Sequence, residues 1–308
     1  MNIDDVRLNF DDSGILLVNM ILAGVMFGVA LDLKLRDFTV IFIKPKAPIA
    51  GLFAQLILLQ AFTYLLTLII RPAPSVALGM ILVAACPSGN MSNFITHLAK
   101  GNTALSVSVT ALSTLAALFM TPLNLSFWGH MNPATSALLK EVNVSAGEVM
   151  FTVFLVLGLP LSVGMSVARF LPKTAKFLRT PMRYFSLFAF GVFLLGAFAK
   201  NFGILVSHGG VILLVVIIHN ATALTIGYLS GKALRLPERD CRAVSIEVGI
   251  QNSALALTLI FSFFSGLGGM ALVAGLWGIW HMVSGMAIAA YWGTRVIVDT
   301  PALEAEEV

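Results

Sequence analysis

Charge is what this 308-residue chain has least of: Asp, Glu, Lys and Arg make up 11% of it, against about 25% in an ordinary soluble domain. So thin a charged coat excludes a solvated disordered chain and a nucleic-acid-binding surface alike. Cysteine is nearly missing. Cys86 and Cys241 stand alone, so they build no disulfide framework, and neither has the His or Cys company in sequence that a soft metal needs. A basic leader is missing too: the start, MNIDDVRLNFDDSG, is acidic where a secretory n-region would be cationic. No loop between apolar runs is long enough for a water-soluble domain.

What fills the chain is hydrocarbon. Hydrophobic residues reach 58%, Phe alone contributes 22, and the mean hydropathy is +0.93. At about 20 residues per membrane-spanning helix, the length accommodates roughly nine or ten spans. Nine apolar runs can be read, near residues 15–31, 47–70, 76–98, 102–128, 148–170, 181–199, 209–234, 241–264 and 267–296. Basic residues test that count. With the N-terminus outside, fifteen of the 19 Lys and Arg fall on the inner side and four, Arg7, Arg71, Lys140 and Lys200, on the outer side. That is the positive-inside bias of a membrane protein, and one span more or fewer would destroy it. The expectation is an all-α, polytopic protein of the bacterial inner membrane, its C-terminus in the cytoplasm and its acidic end, Glu304-Ala305-Glu306-Glu307, in solvent.

Two spans share an unusual design. The third is interrupted by Pro87-Ser88-Gly89-Asn90-Met91-Ser92-Asn93, and the eighth by Glu247-Val248-Gly249-Ile250-Gln251-Asn252-Ser253. Pro87 removes a backbone donor, and Gly89 and Gly249 admit turns that other residues resist. Backbone groups freed at bilayer depth need partners. One broken helix is an ordinary packing kink. Two in topologically matched places, both rich in amides and hydroxyls, predict an inverted-repeat secondary transporter. Spans two to four and seven to nine are the related triplets.

Glu247 is the one carboxylate near the middle of a span, and such a group is a functional candidate by default. No Lys or Arg lies near the midplane to pair with it, so a metal cation or a carried proton is its natural counter-charge. Oxygen-bearing residues accompany it: Gln55, Ser92, Asn93, Ser106, Thr110, Gln251, Asn252 and Ser253. Ser106 and Thr110 stand at i and i+4 on one helical face. A hard cation prefers such a set. Ser108, Ser113 and Thr114 read better as packing between helices. Rival readings are proton coupling through Glu247, a channel, a non-transporting receptor, and an intramembrane serine hydrolase built on Ser88 or Ser253 with His219 or His281. No nucleophile–base signature fixes the last, and no charged ring marks a channel.

Through Ser92-Asn93, Ala104-Leu105-Ser106 with Thr110, and the run Glu247 to Ser253, the chain resembles the bile acid:sodium symporter family, with its bacterial homologues nearest. The resemblance covers about residues 15–296. It implies a panel domain (about 13–33 and 146–200) and a core domain (about 46–128 and 208–296) whose discontinuous helices cross. It also implies two sodium ions. Ser92, Asn93, Ser106, Thr110 and Glu247 would hold the first; Gln55, Glu247, Gln251 and the carbonyls of Val248 and Ile250 would hold the second. An organic anion such as a bile acid or a pantoate-like carboxylate would sit near Asn90, Asn252 and His281, with the bilayer and no obligatory protein as the other partners. Met282 stands where relatives can carry an Asn, and a first helix present in some bacterial members is not found.

Overall fold

The computed structural model describes residues 3–8, 12–33, 35–89, 91–142, 146–295 and 297. Among these residues all regular structure is helical, and the sole β-type pairings are two isolated bridges, Arg7 with Leu267 and Ser88 with Gln251. The helices are α1 (Asp12–Ala30), α2 (Leu35–Ile43), α3 (Lys46–Ile70), α4 (Pro74–Ala85), α5 (Met91–Leu98), α6 (Thr103–Met131) and α7 (Pro133–Val142). There follow α8 (Gly147–Phe170), α9 (Pro172–Lys200), α10 (Phe202–Ala233), α11 (Glu238–Gly249), α12 (Ser253–Phe263) and α13 (Gly268–Gly293).

Five of them, α3, α6, α8, α10 and α13, are long and apolar enough to cross a membrane. Large apolar side chains such as Phe42, Ile69, Phe119, Phe188 and Val211 lie exposed. Water would penalise such a coat, whereas hydrocarbon accepts it. Two stretches expected as loops are helical: α2, between the first two apolar runs, and α7, within residues 130–147. Both are short amphipathic pieces, which a search for long apolar runs passes over.

The two expected interruptions are real breaks. Pro74 at the first helical position starts α4, where a missing N–H costs nothing. Cys86, preceding Pro87, is forced extended at φ −73° and ψ 154°, and α4 ends. Helix α11 opens after Pro237 with Glu238 and Asp240 in its first turn, matching the positive end of the helix dipole. It ends where Ile250 turns extended. Asn252 restarts the chain by accepting a hydrogen bond from the Leu255 amide at 3.1 Å, as Asn102 does for α6 through the Leu105 amide, also at 3.1 Å.

The broken helices form the centre of the molecule. Every residue of α4 from Ser75 to Ala85 is buried, as is α11 from Cys241 to Gly249. Helices α3, α6, α10 and α13 pack around them, while α1, α8 and α9 pack on one another at one side. A close approach at Gly227 lets α10 lie against α11: a Cβ there would stand 2.7 Å from Val244 O. Inside α3 and α8 the turn widens to a π-helix at Ala54–Leu58 and Phe154–Gly158, and the first of these carries Gln55.

Candidate functional site

The two breaks meet and satisfy each other. The Gly89 amide donates to Ile250 O at 2.8 Å and the Asn252 amide donates to Pro87 O at 2.9 Å. This antiparallel pair pins Ser88 opposite Gln251. Gly89 has to be small here, because a Cβ would stand 3.1 Å from Gln251 O.

Beside the paired breaks lies Glu247, with no exposed surface. The structure gathers the expected side chains around it from two helices, α5 and α6. Ser106 donates to Oε1, and Thr110 Oγ1 donates to Oε2 at 2.9 Å. Asn93 Oδ1 lies 2.9 Å from Ser106 Oγ and 3.3 Å from Thr110 Oγ1, within reach of the same two hydroxyl protons. Ser92 Oγ stands 3.3 Å from Thr110 Oγ1. Among the described residues Glu247 makes no ion pair. Taking a carboxylate out of water costs several kcal/mol, and a hydrogen bond to a charged group returns about 1.5–3 kcal/mol. Hydroxyl donors offset part of that cost but carry no opposite charge, so the carboxylate's charge is left for a small cation to balance. The ligand set is all oxygen, and no group of three or more His, Cys, Asp or Glu occurs among the described residues, so a hard cation is the one this chemistry suits.

The second expected group assembles on the other edge of the paired breaks. Gln55 Nε2 donates to Gln251 Oε1 at 3.3 Å, and Gln251 Nε2 donates to Val248 O at 2.7 Å. Ile250 O accepts from Gly89, as above. Glu247 takes part here through its main chain: Ser88 Oγ lies 2.7 Å from Gln55 Oε1 and 2.9 Å from Glu247 O, and its one proton can serve either acceptor. Sequence reasoning had placed Ser88 only in the hydrolase alternative. Its position inside the Pro-Ser-Gly break was the available signal. Asn220, to which the sequence gives no role, donates through Nδ2 to Gly249 O at 2.7 Å and so satisfies a carbonyl freed by the second break.

Of the residues expected at the solute, Asn90 lies outside the described residues. Asn252 and His281 are 8% and 7% exposed and line a cavity of about 580 Å³ that reaches between the breaks and α1. Met282 lies in its wall, and buried His281 Nδ1 and Ser253 Oγ have no hydrogen-bond partner there. Asn252 is committed to capping α12, with its amide 3.9 Å from Met26 Sδ. His219 instead bonds Thr63 at 2.7 Å and packs edge-on against Trp277. No described hydrogen bond joins Ser88 or Ser253 to either histidine.

The model of the sodium bile acid symporter family matches residues 19–231. The chain belongs to that family. It is 32% identical to YocS of Bacillus subtilis, named as a sodium-dependent transporter, over 91% of this chain and 84% of that one. It is 29% identical to BASS1 of Arabidopsis thaliana, named as a probable chloroplastic sodium/metabolite cotransporter, over 87% of this chain and 64% of the relative. With the human P3 protein it shares 30% identity over 70% of this chain and 44% of that protein. The chain thus spans less than two thirds of the plant and human relatives. The symporter family comprises transporters, which sets the hydrolase reading aside.

Proposed function

We propose that this protein is a sodium-coupled symporter of an organic anion, working by alternating access. The observation that carries the reading is Glu247: fully buried, held by hydroxyls from α6, and without an ion-pair partner among the described residues. One sodium ion sits among Ser92, Asn93, Ser106, Thr110 and Glu247. A second sits among Gln55, Gln251, Glu247 and the carbonyls of Val248 and Ile250. Carbonyl oxygens already accepting one hydrogen bond keep a second lone pair for it. The anion lies across the paired breaks, near Asn90, Asn252 and His281.

The body is nine-spanning, with α4–α5 and α11–α12 as the two discontinuous spans of an inverted repeat. Residues 46–128 and 208–296 form the core, and 13–33 with 146–200 the panel. The positive-inside distribution orients it in the bacterial inner membrane with the N-terminus outside and the C-terminus in the cytoplasm. Sodium neutralises Glu247 and ties both breaks together, which shapes the solute face. Core then rocks against panel to expose that face on the other side. Sodium and solute must raise each other's affinity by the same factor.

The test is thermal stability of the purified protein against a panel of organic anions that includes taurocholate and pantoate, first in Na⁺ and then in K⁺. Stabilisation by an anion in Na⁺ alone is expected. Equal stabilisation in both salts, or stabilisation by an anion without Na⁺ that rises as the pH is lowered, would overturn sodium coupling.

A further inference from the structure

The cavity that reaches the paired breaks has a polar rim at the opposite end. Asp32 follows the last turn of α1, His97 lies in the last turn of α5, and Thr103 opens α6. All three line the cavity together with Arg179 of α9. Burial gives the direction: side-chain exposure is 69% at Asp32 and 40% at Arg179, whereas Asn252 and His281 at the floor are nearly closed off. Among the described lining residues Arg179 is the only permanent cation and Asp32 the only carboxylate.

Arg179 is held in a particular way. Its Nε and Nη2 donate to Leu31 O at 3.1 and 2.9 Å, and Nε lies 3.2 Å from Asp32 Oδ1. These contacts fasten one edge of the guanidinium to the end of α1. Among the described residues no hydrogen bond engages Nη1, Arg179 is 40% exposed at the rim, and a guanidinium carries five N–H donors in a fixed fork. The apolar walls below it, built by Val25, Val29, Phe94, Val107 and Met282, offer a solute's carboxylate no other permanent positive charge.

We propose that Arg179 is the rim dock for the solute's carboxylate, and that Asp32 is its competitor. This rests on the symporter reading above and names a specificity-determining residue for it: the solute is an amphipathic monoanion, with its charged end at Arg179 when it occupies the rim and its apolar body against the cavity wall. Asp32 keeps the guanidinium in place and weakens its grip, so that the anion is released and not trapped.

The two partners make the idea testable, because breaking their ion pair from either side has opposite consequences. Binding of cholate and of its uncharged methyl ester is measured on wild type, Arg179→Gln, Arg179→Lys and Asp32→Asn in Na⁺. Charged hydrogen bonds at a partly solvated site correspond to about three- to tenfold in affinity. Arg179→Gln should weaken cholate by about that factor, Arg179→Lys should recover part of it, and Asp32→Asn should tighten it. The neutral ester should bind all four proteins alike. A purely structural ion pair predicts that Arg179→Gln and Asp32→Asn change affinity in the same direction, for both ligands; that result overturns the dock. Unchanged cholate affinity in every variant does so as well. The Na⁺-over-K⁺ stabilisation of each variant shows that it is folded. Wild type that binds neither ligand would overturn the dock for this solute class, whereas the symporter reading falls only if no anion of the panel above is bound in a Na⁺-dependent way.

Discussion

Replacing Glu247 by Gln tests the sodium assignment most directly, since the amide matches the carboxylate in shape and removes only its charge. The structure divides the consequences. The side chain serves the cluster of Ser92, Asn93, Ser106 and Thr110 and is shared with the second proposed site, which also meets residue 247 through its carbonyl, and Gln keeps that carbonyl. Sodium at ten times its dissociation constant stabilises a folded protein by about 1.4 kcal/mol per site. Two sites sharing one carboxylate give about 3 kcal/mol, or roughly 6 °C at about 2 °C per kcal/mol for a chain of this size. The assay is thermal unfolding in detergent, with Na⁺ exchanged for K⁺ at constant ionic strength. Glu247→Gln should lose nearly all of the Na⁺-over-K⁺ shift. In K⁺ it should melt no lower than wild type, because removing an unpaired buried charge relieves a desolvation penalty. A variant that keeps the wild-type shift would refute the reasoning. Retention of about half would mean that the second ion needs only the carbonyl.

Thr110→Val keeps the shape of the side chain and deletes the donor to Glu247 and Asn93, so about half of the sodium shift, about 1.4 kcal/mol, should disappear in the same melt. Gly89→Ala places a methyl 3.1 Å from Gln251 O; overpacking of this kind costs about 1–3 kcal/mol, and the melting temperature should fall in K⁺ as well as in Na⁺. Glu238 at the N-terminal end of α11 feels burial, which pushes its carboxyl up, but hydrogen bonds from Lys232, Arg242 and Tyr228 outweigh it and hold the group below its ordinary 4.5. A lowered carboxyl contributes stability that is present above pH 4.5 and is lost as the pH falls through the depressed value. Wild type should therefore outlast Glu238→Gln in unfolding at pH 7, and the gap should close progressively in acid.

Much of this was legible in the sequence, for physical reasons that differ by element. Long helices announce themselves because about 20 apolar residues are needed to cross hydrocarbon; the run expected at 47–70 is the helix Lys46–Ile70. The interruptions were legible because Pro87 and Gly89 are residues that end helices. Helices α2 and α7 were not, since short amphipathic turns leave no long apolar run. Tertiary hydrogen bonds were also hidden. Nothing in the residue types at Ser88 or Asn220 says that one joins Gln55 to Glu247 O and the other satisfies Gly249 O. Those bonds link positions up to 159 residues apart.

The pairing of the breaks explains why the site needs both of them. Each break, alone, would leave amides and carbonyls unpaired at bilayer depth, at several kcal/mol per group. Gly89 N with Ile250 O and Asn252 N with Pro87 O cancel most of that penalty at once. What the pairing does not use is the oxygen on either edge: hydroxyls and a carboxylate on one side, amide and main-chain carbonyls on the other. A hydrogen-bonded backbone bridge thus supplies the rigidity, and the surplus oxygens are the ones the proposed sodium sites draw on. Either break straightened into continuous helix would remove the other's partners. Damage at Gly89 should consequently reach Glu247, which belongs to the opposite half of the chain.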